Sequence, residues 1–266
     1  MRKRIFLVGV MILAGCAGHH PAPAVKTADA DGDTVDKIGR IIADRDAGAG
    51  AADRGALITA VSADFLGTPY VADTLIGSAT EPERLVIDFN GVDCFTYLDY
   101  VDALSKSANA AQFSENLRRT RYVDGDVSYA HRKQFFTDWA HLSPLNATDV
   151  TSAISPDALT VTKTLNQTAG GGKFFPSLGV ETRAITYIPA RAVNAAAIAR
   201  LKNGDLIGIY TPAAGMDVTH TGIFIMTDRG PVLRNASSRA AHRKVVDSPF
   251  LAYIRKTPGI VVLRAI

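Results

Sequence analysis

The 266-residue chain holds two cysteines, Cys16 and Cys94, and six histidines. A thiol and an imidazole within hydrogen-bond reach make a nucleophile and its base, the parts needed for covalent acyl transfer. Such a thiol reacts as thiolate, which a helix N-terminus favours through free N–H groups and the positive end of its dipole. Cys94 follows Asp93, a good helix cap, and precedes a run in which Phe95, Leu98, Val101 and Leu104 recur at helical spacing. The same first turn would offer backbone N–H groups to an oxyanion. A lone cysteine can instead be a small buried hydrophobe. Its place just behind a cap, at a helix start, favours the nucleophile.

A base must then be found. His19 and His20 fall in a polar leader, His131 and His141 in a helical stretch, and His242 in the basic segment Arg239 to Lys244. His220 instead heads an apolar run from Thr219 to Phe224 and is the expected base. A third group must orient its ring. Runs 220–227 and 231–238 flank Asp228-Arg229-Gly230, which predicts a β-hairpin. With a two-residue turn at Arg229-Gly230, Asn235 faces Phe224 and Ser237 faces Gly222, both on the side of His220. Asn235 is the expected orienter and Ser237 its substitute, or else a substrate contact; a one-residue change in the loop would turn both away. The histidines show no metal-ligand spacing such as HExxH, so neither metal nor other cofactor is expected.

These groups need elements to hold them. Val35, Ile38, Ile41 and Ile42 fall on one helical face, as do Leu57, Ile58, Val61, Phe65 and Leu66 before Gly67-Thr68-Pro69 stops the pattern. Helical spacing recurs at 95–104, 109–119 and 130–142, and 143–180 reads as an irregular insertion, either a lid over the site or a long loop. The period then changes. Short β-rich runs at 184–188, 206–210, 221–227, 232–236 and 260–264 are separated by Asn203-Gly204, Asp228-Arg229-Gly230 and Pro258-Gly259 turns. Helices first and antiparallel strands afterwards predict an α+β domain over 35–266. With 47% hydrophobic residues and a net charge of +3, the chain has ample core and no signature of nucleic-acid binding.

The N-terminus reads as an export signal. Arg2, Lys3 and Arg4 precede an apolar run, Ile5 to Leu13, too short to span a bilayer. Leu13-Ala14-Gly15-Cys16 resembles the lipobox of bacterial lipoproteins, which implies cleavage after residue 15 and diacylation of Cys16. The alternative is a plain signal with an incidental cysteine. Ala17 rather than Asp after the lipidated residue points to the outer membrane, facing the periplasm. Residues 16–34, rich in Ala, Pro, His and Asp, read as a flexible tether.

Cys94 at a helix start, His220 leading a strand and a polar residue on the next strand resemble the NlpC-type, papain-like superfamily of cell-wall cysteine peptidases. Gly67-Thr68-Pro69-Tyr70 is similar to its Gly-x-Pro-Tyr segment, which would set Tyr70 beside the nucleophile as a substrate contact. The closer resemblance is to a branch of N-acetylmuramoyl-L-alanine amidases, through Val92 to Tyr97, Phe135 to Trp139, Tyr187-Ile188-Pro189 and Gly215 to Gly222. Thr96 stands where the superfamily usually has Gly, and Asn235 where it often has His. The resemblance implies helices packed on a small antiparallel sheet, and thiol-dependent cleavage of the muramoyl–L-alanine amide in muropeptides. Asp217 would bind the substrate's polar groups or shape a turn. Two rival expectations are a D-glutamyl–diamino acid endopeptidase on the same fold, and a non-catalytic peptidoglycan-binding lipoprotein.

Overall fold

The computed structural model describes residue 30, residues 32–49 and residues 53–266, so the leader, Cys16 and most of the expected tether lie outside the described residues. Helix α1 (Gly32–Ala49) starts within the segment expected to be tether. Ile38, Ile41 and Ile42 bury as their spacing predicts, but Val35 points outward and Thr34 is buried in its turn instead. Helices α2 (Arg54–Ala63), α3 (Cys94–Ser105) and α4 (Ala110–Arg121) follow. Asp53, Asp93 and Asn109 cap them, each accepting N–H groups of the first turn, a contact typically worth about 1 kcal/mol. From Thr96 to Ser105 every residue of α3 is buried, so it is the central helix of its layer.

The strands are β1 (Ala147–Asp149), β2 (Leu159–Leu165), β3 (Glu181–Pro189), β4 (Leu206–Tyr210), β5 (Val218–Thr227), β6 (Gly230–Ser237), β7 (Lys244–Pro249) and β8 (Gly259–Ala265). They form one antiparallel sheet in the order β2-β3-β8-β4-β5-β6-β7, with β1 also paired to β8. Both faces are covered. Tyr210, Ile223, Ile225, Val261 and Leu263 pack with α1–α4. Ile207, Ile209, Phe224, Leu233, Ile260 and Val262 pack on the other face with the short helices α5 (Thr151–Ile154), α6 (Ala195–Ile198) and α7 (Phe250–Ile254). This makes an α+β fold of three layers, with a sheet larger than expected.

Three stretches differ from the sequence expectation. Residues 130–142 form two short 3₁₀ turns, Tyr129–His131 and Phe136–Ala140, instead of a helix. Asp138 accepts the N–H groups of Gln134 and Phe135, and Arg183 pairs with Asp138 at 2.8 Å, so tertiary contacts override helical spacing. The stretch 143–180, read as irregular, contains β1, α5 and β2. The charge of Lys163 hides the alternation of Leu159, Val161 and Leu165 in β2. The sheet edge β7 carries no clear strand signal, because its charges and terminal proline look like loop.

The β5–β6 hairpin closes with Thr227 opposite Gly230, leaving Asp228-Arg229 as the loop. Gly230, with φ +106, supplies a backbone conformation that other residues rarely adopt. The register therefore moves from the expected one by two residues, with Phe224 opposite Leu233 in place of Asn235. An even shift preserves the face of each side chain, so Asn235 stays on the side of His220.

Candidate active site

Cys94 is the first residue of α3. Asp93 Oδ1 accepts from Phe95 N (2.9 Å) and Thr96 N (2.7 Å), while Asp93 N donates to Thr96 Oγ1 at 3.0 Å, a reciprocal capping box. The threonine at position 96 thus has a structural use. Thr221 Oγ1 donates to Cys94 O at 2.6 Å, tying α3 to β5. On the preceding side Val92 N donates to Pro69 O, and Tyr70 N to Arg243 O, so the Gly67–Tyr70 segment is fastened against the nucleophile turn. Tyr70 pairs with Val92, two residues before the nucleophile, and burial pushes its hydroxyl pKa upward.

His220 Nε2 lies 3.0 Å from Asn235 Oδ1. The fully buried carboxamide is oriented by its other end, where Nδ2 donates to Leu233 O at 3.0 Å and Ser248 Oγ at 3.1 Å. With the oxygen so assigned, His220 must carry its proton on Nε2, which leaves the Nδ1 lone pair as the base. Tyr253 of α7 stacks on the imidazole (centroids 6.2 Å apart, 21° between planes), and the Arg239 guanidinium lies 4.4 Å over the Tyr253 ring.

The electrostatics correct one expectation. Burial first, and the Asp93 carboxylate second, push the Cys94 thiol up to about 11, against hydrogen bonds from Thr221 and its own N–H. Burial lowers the His220 pKa, only partly offset by the Asn235 bond. At neutral pH the cavity therefore holds a neutral thiol and a neutral imidazole, not the ready thiolate that a helix N-terminus alone would make. Phe95 and Thr96 give their N–H groups to Asp93, and Tyr97 N goes to the Asp93 carbonyl, so among the helix-start donors the one open to an oxyanion is Cys94 N–H, which otherwise turns to its own sulfur.

Cys94 and His220 line one cavity of about 270 Å³ with Phe135, Phe136, Phe174 and Phe175 in its walls. Phe174 and Phe175 come from the 143–180 stretch. Asn166 holds this loop by donating to Phe175 O and accepting from Phe175 N, while its own N–H bonds Gly215 O at 2.8 Å. Gly215, at φ +78, is required here: a Cβ would come within 2.6 Å of Gln167 O and of the Phe174 ring. A larger recess of about 500 Å³, between the start of α2 and the Asn203–Asp205 turn, contains none of these groups.

Two expected substrate contacts are otherwise engaged. Asp217 lines the cavity but is 2% exposed; Oδ2 accepts from Thr137 N (2.8 Å) and Oγ1 (2.9 Å), and Oδ1 from Val218 N. Its carboxylate braces the wall, closer to the turn-residue alternative. Ser237 is buried at the end of β6, where its hydroxyl accepts from Arg239 N, so it is closed to substrate and takes no part in holding His220. Sequence reasoning missed Gln134, whose Nε2 is buried without a hydrogen-bond partner in the same cavity. Its neighbours in the Phe135–Trp139 segment were the available signal. Tyr253 and Arg239 had none, since only the tertiary fold brings α7 to His220.

Residues 60–260 match the family model AmiA-like, described as N-acetylmuramoyl-L-alanine amidase-like. A Legionella pneumophila protein of the DUF1460 family superposes with TM-score 0.74 at 23% identity, over 88% of this chain and 95% of that one, a likeness of fold. An N-acetylmuramoyl-L-alanine amidase from Bacteroides uniformis superposes with TM-score 0.67 at 30% identity, over 80% of this chain and 99% of that one. A Bacteroides fragilis protein provisionally named a xylanase gives TM-score 0.62 at 28% identity, over 76% and 98%. No curated protein matches the sequence.

Proposed function

The chain belongs to the AmiA-like, N-acetylmuramoyl-L-alanine amidase-like family, and on that premise we propose that it hydrolyses the amide between the muramoyl lactyl group and L-alanine, with Cys94 as nucleophile, His220 as base and Asn235 as orienter. His220 Nδ1 takes the thiol proton as sulfur attacks the lactyl carbonyl. The oxyanion receives hydrogen bonds from Cys94 N–H and Gln134 Nε2. Collapse expels the alanine amine, protonated by the same imidazole, and leaves a muramoyl thioester. Water, deprotonated by His220, then attacks the thioester and releases the lactyl carboxylate and free thiol.

The observation that carries this reading is the His220–Asn235 bond. An asparagine locked by Leu233 and Ser248 fixes the tautomer in which the imidazole is a base in the cavity that holds the thiol. The same order of groups supports placement in the NlpC-type, papain-like superfamily. Xylan cleavage generally calls for two free carboxyl groups. Asp217 is the single acidic residue among those lining the cavity, and its oxygens are taken. The lipobox-like leader supports attachment to the envelope through Cys16, where muropeptides would be met.

Mass spectrometry of products from purified muropeptides tests the bond. Sugar free of peptide together with an intact stem is the expected result. Sugar carrying a dipeptide would make the protein a D-glutamyl–diamino acid endopeptidase, and intact substrate would leave a binding protein.

A further inference from the structure

Beside the first turn of α3, a second recess of about 370 Å³ shares Phe95, Gln134 and Phe175 with the cavity of Cys94. Asp99 and Arg121, each 1% exposed, line it. Arg121 Nε donates to Asp99 Oδ2 at 2.7 Å and Nη1 to Val86 O at 2.8 Å, but Arg121 Nη2 and Asp99 Oδ1 have no partner. Buried polar atoms are nearly always paired, so an orphaned donor and an orphaned acceptor on two residues that line one recess ask for a ligand that supplies both complements. Lys133, 2% exposed in the same wall, spends two of its three N–H bonds on Pro144 O and Asn146 Oδ1. Burial pulls its pKa down to about 8, against the nearby aspartates.

We propose that this recess is a subsite selecting an acidic residue next after the alanine of the scissile amide: Arg121 Nη2, backed by Lys133, takes its free carboxylate, and Asp99 Oδ1 accepts its backbone N–H. The inference rests on the amidase reading above. The two cavities meet at Phe95, the residue after the nucleophile, and one extended residue spans roughly 3.5 Å. A substrate with its lactyl carbonyl on Cys94 therefore sends the residue after alanine towards the recess. In a stem whose D-glutamate is linked through its side chain, that residue offers one N–H and one free main-chain carboxylate, the complement of the two orphaned atoms. Aromatic walls around Cys94 leave that cavity to the sugar.

The test compares wild-type kcat/KM on muramoyl-L-alanyl-D-glutamate with that on the analogue whose main-chain carboxylate is a carboxamide. The carboxamide should lose about tenfold to a hundredfold, mainly through KM, the size of one charge-assisted contact. In Arg121→Lys and in Lys133→Met that discrimination should shrink towards one; the second change spares the Asp99 pair, in case the first disturbs folding. Equal kcat/KM for the two substrates overturns the subsite while leaving the amidase reading intact. Cleavage of neither overturns both.

Discussion

Replacing Asn235 with alanine removes the carboxamide that holds His220 and tests the site where its argument is most specific. In the resting state the bond from Nε2 to Oδ1 at 3.0 Å is neutral. Once His220 has taken the thiol proton, the same bond has an imidazolium donor. Neutral hydrogen bonds contribute about 0.5–1.5 kcal/mol and those of charged groups about 1.5–3, so the transition state loses roughly 1–1.5 kcal/mol more than the ground state. Loss of the fixed tautomer adds to this, and kcat should fall about tenfold to a hundredfold with KM nearly unchanged. The change also strands Leu233 O in the core and frees the half-buried Ser248 Oγ, for about 1–3 kcal/mol of stability, so rates must be read well below the melting transition. Asn235→His, which keeps an acceptor for the imidazole, should recover part of the rate. A folded Asn235→Ala protein with kcat within about twofold of wild type would refute the orienting role.

Three further outcomes follow from the geometry. Because burial lowers the His220 pKa, kcat/KM should hold steady down to pH 6.5 and fall only below it, as the imidazole protonates; thiolate absorbance should rise only near pH 11, and a thiolate signal at pH 7 would contradict the neutral resting pair. Gln134→Leu should lower kcat by about 10²-fold with little effect on the melting temperature, the usual size for one lost oxyanion donor, whereas an unchanged kcat would remove Gln134 from the chemistry. Asp217→Ala should cost about 2–3 kcal/mol of stability through the lost charged bonds to Thr137; a KM increase at unchanged melting temperature would instead restore it as a substrate contact.

The two main groups of the candidate site are legible because each sits on a local signal. The Asp93-Cys94 step reads as a capped helix start, and the apolar run after His220 reads as a strand. Asn235 was found on the right face from a register that was wrong by two residues, since alternation along a strand forgives an even slip. What stayed hidden depends on burial and long-range pairing. The 11-like thiol pKa comes from an enclosed cavity, and the commitment of Asp217 from Thr137, eighty residues earlier in the chain. Strand β2 was obscured by Lys163, whose ammonium the fold places on Thr211 O and Ala213 O, so a strand position looked like loop.

Stem release from muropeptides by folded Cys94→Ala protein, measured beside the wild type under the same conditions, tests the thiol mechanism most directly. Covalent chemistry on this sulfur requires turnover to drop to the uncatalysed background while the melting temperature stays close to that of the parent. Persistent release of the same products would mean that another group attacks the amide.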